Sequence, residues 1–353
     1  MNIKKIVGIV GTLLVVIALT FIWWRYAPLT DGEYTVGNNK IEWRLVVSNS
    51  VLKTAYLKNK ITGEILKVAG EDFIMRIGHA SSIGWSPENQ KASDKYPPYI
   101  VRDGVYVTPE YCRAAWLIRG LHSKTFVLVQ PELNCKIRLN FTAKENEPWI
   151  RRKISLKSLS KQELAIDACD QIRWEKCGKT ELGGKGQPVF INKSWFVGLE
   201  HPYSKGIQNN GEVILRQYPG NKFGKNFFDL QTMIVGAAPV WKIREVMNEY
   251  VKSIRRPIKS VSLFNTWCHM RENELTEKNI DETVEQLHKG LSPYEYMFDV
   301  FVVDDGWQEK KSVWGYRKDR LPHGLEGIRK KIVEQGSKLG LWVSLPGSNL
   351  DIK

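Results

Sequence analysis

Apolar and polar residues alternate with period two at several places between about residues 33 and 235, and the spacing turns helical only after Pro239. Residues 136–141 alternate cleanly, residues 149–156 do so with one irregularity, and residues 41–47 alternate at their start. Residues 125–129 and 195–199 are more continuously apolar, as strands buried on both faces are. Thr62-Gly63, Asp103-Gly104, Asn210-Gly211 and Pro219-Gly220 supply turn chemistry between such runs. Many short strands punctuated in this way predict an antiparallel sandwich, large enough for two big packed sheets.

Past Pro239 the apolar positions Trp241, Ile243, Val246, Met247, Tyr250, Val251 and Ile254 recur at helical spacing, and Pro257 ends the run. A strand over 261–267 follows. Next comes a helix capped by Thr276, with Ile280, Val284 and Leu287 on one face and Gly290 as its stop. Then come a strand over 297–303, a helix around 325–335 and a strand over 341–345. Strands separated by amphipathic helices predict parallel pairing with right-handed crossovers. Such folds present the C-terminal ends of their strands as the active face. Asn265-Thr266-Trp267, Asp304-Asp305-Gly306-Trp307 and Trp342-Val343-Ser344 stand at those ends.

The first residues read as an address. Lys4 and Lys5 precede an uncharged run over residues 6–24, which at ~1.5 Å per residue matches a bilayer core of ~30 Å. Trp23-Trp24-Arg25-Tyr26 resembles an interfacial belt. The run is longer than the ~7–15-residue core of a cleaved signal peptide, and no small-x-small site follows it. An uncleaved anchor is therefore the first expectation, with a cleaved signal and a buried core helix as alternatives; either export reading places the body beyond the cytoplasmic membrane.

Composition narrows the function classes. The formal charge is +14 over 353 residues, but the basic residues are dispersed, as in Arg151-Arg152-Lys153, and read as a solvated surface. With no zinc-finger spacing and no RNP-type motif, no nucleic-acid partner is expected. The five cysteines are odd in number and include no C-x-x-C pair, so neither a metal site nor a dense disulfide framework is expected. Cys169 and Cys177 could still pair across a hairpin. No Gly-rich loop follows any strand, which argues against a nucleotide site, and no cofactor is expected. Glu200-His201 reads as a hydrogen-bonded loop, and the segment from Asp167 to Asp170 as strand-end turn chemistry.

The strongest chemical signal is Asp304-Asp305-Gly306-Trp307. Two adjacent carboxylates repel each other unless they are solvated or bound to donors. With tryptophans on the same rim, such a pair suits a polyhydroxylated neutral ligand, a sugar.

Taken in order, Asn265-Thr266-Trp267, Asp304-Asp305-Gly306-Trp307-Gln308, Leu321-Pro322-His323-Gly324-Leu325 and Gly340-Leu341-Trp342-Val343 resemble the α-galactosidase (melibiase) clan of glycoside hydrolases. The likeness is greatest to the bacterial type with an N-terminal β-supersandwich. It implies an antiparallel β-supersandwich over 31–238, a linker helix over 239–260 and the start of a (β/α)8 TIM barrel over 261–353, after an anchor or signal segment over 1–30. It implies that Asp304 and Asp305 hold galactose hydroxyls near O6 and O4. Trp267 and Trp342 would wall the sugar pocket, and Trp314 would line it. The implied ligand is an α-linked galactoside or a related oligosaccharide. Ser312-Val313, Cys268 and Ser344 depart from the clan's pattern, which leaves the identity of the α-linked hexose open. The clan's nucleophile and acid/base come after later barrel strands, and a complete barrel needs ~250 residues. The expectation is therefore an N-terminal fragment of a glycosidase, truncated after the third strand and inactive alone. The alternative is a membrane-tethered carbohydrate-binding β-sandwich without catalysis.

Overall fold

A computed structural model describes residues 25–85, 99–184, 188–201, 204–309, 312 and 315–343. These fall into two compact units, one ending at Arg255 and the other beginning at Arg256. The apolar run over 6–24 lies outside the described residues. Among the residues described, no helix is long and apolar enough to cross a membrane.

The first unit is an antiparallel β-sandwich built from one ten-stranded sheet, one seven-stranded sheet and a smaller four-stranded sheet. The middle of the large sheet runs Arg113–Arg119, Ser123–Gln130, Cys135–Thr142, Trp149–Ser158, Met233–Ala237 and Trp195–Leu199 in spatial order. In Cys135–Thr142 every second residue is buried, as the clean alternation predicts. The seven-stranded sheet is organised around the twelve-residue strand Leu164–Glu175, which pairs with Ile74–His79 and Glu212–Gln217. Asn210 and Gly211 both take positive φ between Lys205–Asn209 and Glu212–Gln217, as a tight two-residue hairpin turn requires.

All three sheets feed one core. Trp43 of the small sheet meets Phe141 edge-on at 5.0 Å and Trp174 at 5.5 Å. The polar ends of these indoles are satisfied locally. Trp43 Nε1 donates to Thr54 Oγ1, and Trp174 Nε1 donates to Asp72 Oδ1. The Thr54 hydroxyl and backbone amide both donate to Asp72, so one buried carboxylate organises the polar side of the aromatic core.

The sandwich corrects several sequence expectations. Asp167 and Asp170 stand in the middle of Leu164–Glu175, not in a strand-end turn. Register shifts between Ile166 and Ala168, and between Asp170 and Ile172, break the alternation there. Both carboxylates are buried, Asp167 against Arg76 and Asp170 against Arg216 and Arg173. Arg152 belongs to the interior, not the solvated surface: it is fully buried, and its guanidinium donates to the Gln171 carbonyl and lies 5.5 Å from the Trp43 ring. Burial draws its pKa down to about 10, so it remains charged at neutral pH. All five cysteines are free thiols, so Cys169 and Cys177 form no crosslink.

The helix Ile243–Ile254 turns Ile243, Val246 and Tyr250 onto Trp149, Phe196 and Ile234 of the large sheet. Trp241 is not part of its apolar stripe: it precedes the helix and is 71% exposed. Glu200 sits in the hydrogen-bonded setting expected of it, accepting both Arg151 Nε and Nη2 and the Tyr250 hydroxyl.

The second unit holds three parallel strands in the order Leu263–Asn265, Val300–Val303 and Lys338–Leu341. The helices Glu277–Leu291 and Gly324–Glu334 make the two crossovers. Ile280, Val284, Ile328 and Ile332 share a core with Phe301 and Val303, while Val300 and Val302 are only half-buried. Thr276 caps the first helix through its hydroxyl, as its position predicts. That helix passes Gly290 and ends at Leu291. The third strand lies three residues earlier than the apolar run suggests, so Trp342 follows it directly. A closed eight-stranded barrel is not among the described residues.

Candidate functional site

The three parallel strands end together. Asn265 pairs with Val302, and Val303 pairs with Leu341. Asp304, Trp342 and the turn Thr266–Cys268 therefore leave the sheet at one edge.

Asp304 is the fixed point of that edge. Its side chain is buried, at 7% exposure. Oδ2 accepts a 2.7 Å hydrogen bond from Asn265 Nδ2, and Oδ1 accepts the Asp305 amide at 2.8 Å. The Asp304 amide donates to Thr266 Oγ1 at 2.9 Å. Both carboxylate oxygens are thus oriented by the protein. A carboxylate offers about four lone-pair sites, so acceptor capacity for further donors remains. Asp305 is half-buried on the same turn. Gly306 follows at φ +111, a backbone conformation that favours glycine.

Asn265 joins two candidate residues. Its Nδ2 holds Asp304, while its Oδ1 accepts the Trp267 amide at 2.8 Å and caps the short turn. Opposite demands on the two ends of the amide fix its orientation. Trp267 is 45% exposed, and its ring lies 5.8 Å from the Arg271 guanidinium. Trp342 is half-buried and anchored through its backbone, donating to the Val303 carbonyl at 2.9 Å.

Trp307, the aromatic member of the motif, turns inward. It is 2% exposed, and its Nε1 donates to the Trp342 carbonyl at 2.7 Å. It ties the loop after the second strand to the end of the third and offers no face to a ligand. Leu321-Pro322-His323-Gly324-Leu325 is likewise scaffold: Leu321 is fully buried, and the His323 amide and ring both meet Glu277. Trp314 and Ser344 lie outside the described residues. Sequence reasoning placed Asn265 and Thr266 on the rim but did not foresee their bonds to Asp304. Their signal was an Asn-Thr pair closing a strand beside one that ends in a carboxylate.

No cluster of three His, Cys, Asp or Glu side chains suited to a metal occurs among the described residues. A 260 Å³ cavity bordered by His269, Glu274 and Gln286 includes none of the sequence-predicted site residues in its lining.

The sequence matches no protein-family model, and no curated protein is similar to it. Solved structures are similar in fold. The galactosidase domain of the α-galactosidase–sucrose kinase AgaSK superposes with a TM-score of 0.52 at 13% identity, over 90% of this chain and 57% of that one. The α-galactosidase from Lactobacillus brevis gives 0.52 at 10% identity, over 89% and 55%. The GH36 α-galactosidase AgaA from Geobacillus stearothermophilus gives 0.51 at 11% identity, over 89% and 56%. The chain thus has the fold of a little over half of these α-galactosidase chains, with the antiparallel sandwich as its main part. A variant of AgaA has been crystallised with raffinose.

Proposed function

We propose that the second unit carries the sugar-holding rim of an α-galactosidase-type glycoside hydrolase, with its three parallel strands as the first three of a (β/α)8 barrel. Helices on one face and half-buried valines on the other are what consecutive strands of such a barrel present. The observation that carries the reading is Asp304, a buried carboxylate at the end of the central strand with both oxygens already oriented. Asp304 and Asp305 accept hydroxyl donors of an α-linked galactoside, and Trp267 and Trp342 border the ring. The likeness in fold to enzymes such as AgaA, one variant of which was crystallised with raffinose, supports that choice of ligand.

The pair serves recognition, not bond cleavage. A retaining glycosidase sets its nucleophile and acid/base ~5–5.5 Å apart, flanking the scissile bond. Asp304 and Asp305 are neighbours on one turn, and Asp304 is committed through both oxygens. The chain alone is therefore expected to bind galactosides without hydrolysing them.

The test is calorimetry with raffinose, together with p-nitrophenol release from an α-galactoside. Asp304→Asn keeps the shape but loses the charged acceptor, worth ~1.5–3 kcal/mol, or ~10–100-fold in affinity. Unchanged binding by that variant would refute the site. Release of p-nitrophenol by the purified chain would refute the division between recognition and catalysis.

A further inference from the structure

Trp241 is a large apolar side chain left in solvent at 71% exposure, on a backbone with φ +72. A bulky residue rarely adopts that conformation, and it persists only where its surroundings enforce it. They do so here. The Trp241 amide donates to the Lys193 carbonyl at 3.2 Å. Asn192 and Lys193 are themselves left-handed, at φ +52 and +70. That turn is pinned in three ways: Asn192 Oδ1 accepts the Lys179 amide at 3.0 Å, Asn192 Nδ2 donates to Glu64, and the Ser194 hydroxyl donates to Glu64. Two elements far apart in sequence are thus fixed so that an indole is held outward.

The indole borders a cavity of about 630 Å³ with Lys179, Glu181, Phe190, Lys193 and Arg244 in its lining. Lys193 Nζ lies 3.7 Å from the centroid of the Trp241 ring. Arg244 packs over Phe190 and pairs with Glu181 at 2.8 Å, which accounts for the one carboxylate in the lining. Lys179 and Lys193 make no ion pair among the described residues. The cavity therefore combines an outward aromatic face, two uncompensated ammonium groups and one neutralised pair.

We propose that this cavity binds an acidic sugar, a carboxylate-bearing pyranose within an oligosaccharide. The apolar face of one ring stacks on the indole side that Lys193 leaves free, and the carboxylates of the adjoining rings meet the ammonium groups of Lys193 and Lys179. A neutral sugar would use the indole and leave both charges unanswered. A compact anion such as phosphate would use the charges and leave the indole bare. The site lies in the sandwich unit and does not depend on Asp304.

The test is calorimetry on the full chain with a tri-uronate, its neutral trisaccharide counterpart and tripolyphosphate, at low and high salt. The uronate should bind at least about tenfold more tightly than either comparison ligand and weaken with salt, as exposed charge pairs do. Trp241→Ala and Lys193→Ala should each lower its affinity about tenfold or more. Trp241→Phe should retain most of it, and Asp304→Asn should leave it unchanged. Should Trp241→Ala fail to fold, by circular dichroism, Lys193→Ala and Lys179→Ala carry the test. Equal binding of the neutral sugar or of tripolyphosphate overturns the proposal. So do wild-type affinity in the lysine variants, absence of uronate binding, and dependence of that binding on Asp304.

Discussion

Replacing Trp307 by Phe separates a sugar platform from a tether. The indole is 2% exposed and shares a core with Phe301, Val303 and Leu321, so the substitution leaves the outer surface nearly unchanged. It removes the 2.7 Å bond from Nε1 to the Trp342 carbonyl and leaves that acceptor without its partner. An unsatisfied polar group of this kind costs ~1–3 kcal/mol. The smaller ring also leaves a void of a few tens of Å³, which at ~24 cal/mol per Å³ adds roughly 1 kcal/mol. The expected loss is therefore ~2–4 kcal/mol, confined to the second unit. Urea unfolding followed by circular dichroism reads it, because the sandwich core contains none of these atoms and its transition should stay in place. Galactoside affinity, measured well below the transition, should fall less than about threefold. A variant of wild-type stability that has lost binding tenfold would refute the tether and return the ring to the ligand.

Two further outcomes follow from burial. Cys112, Cys135 and Cys177 have their thiols pushed up to about 12 by burial, Cys169 is raised by the same cause, and only Cys268 is exposed. One thiol in five should therefore react rapidly with a disulfide reagent at pH 8 in the native chain. The other four should react only on unfolding, and two or more fast thiols would contradict the fold. Tyr250 is raised above its usual value, first by burial and then by its bond to Glu200. Above pH ~10 the unfolded chain loses this proton while the folded chain keeps it, so stability falls by ~1.4 kcal/mol per pH unit for this group. The buried thiols add slopes of the same sign from about pH 9. Tyr250→Phe should make the decline between pH 10 and 11 shallower by about that amount in denaturant titrations, and an unchanged slope would refute it.

The fold class was legible because period two and period 3.6 are properties of local sequence. Cys135–Thr142 shows this most directly, since its polar residues all face away from the core. What failed to show was the exception to period. Two register shifts in Leu164–Glu175 carry the buried Asp167 and Asp170 to half-buried arginines far away in sequence, and no local pattern encodes a distant Arg76 or Arg216. Arg152 was hidden for the opposite reason. The alternation predicts an inward residue there, and the charge of its neighbours argued it outward. Trp241 fitted a helical stripe by spacing, yet its backbone conformation, set by the Asn192-Lys193 turn, removes it from the helix. At the rim, a strand that stops at carboxylates located Asp304. The division of labour around it was not readable, since Asn265 and Trp307 act through bonds that exist only once the three strands lie side by side.

That division bears on what the rim can do. A recognition carboxylate gains from being oriented before its ligand arrives, because binding then costs little reorganisation. A nucleophile needs one oxygen free to approach a carbon, and a general acid needs a proton it can share with the leaving group. Asp304 has one oxygen on Asn265 and the other on the turn of its own chain, which suits the first task and hinders the other two. Asp304 Oδ1 takes the amide of Asp305, so the donor that steadies the first carboxylate comes from the residue bearing the second. Asn265 then couples the pair to Trp267, so whatever displaces the carboxylate also loosens the cap beneath the exposed indole. On the proposed reading, sugar hydroxyls and a sugar face would be met by groups joined through one amide, and this coupling, more than the presence of two acids, is what the proposal draws on.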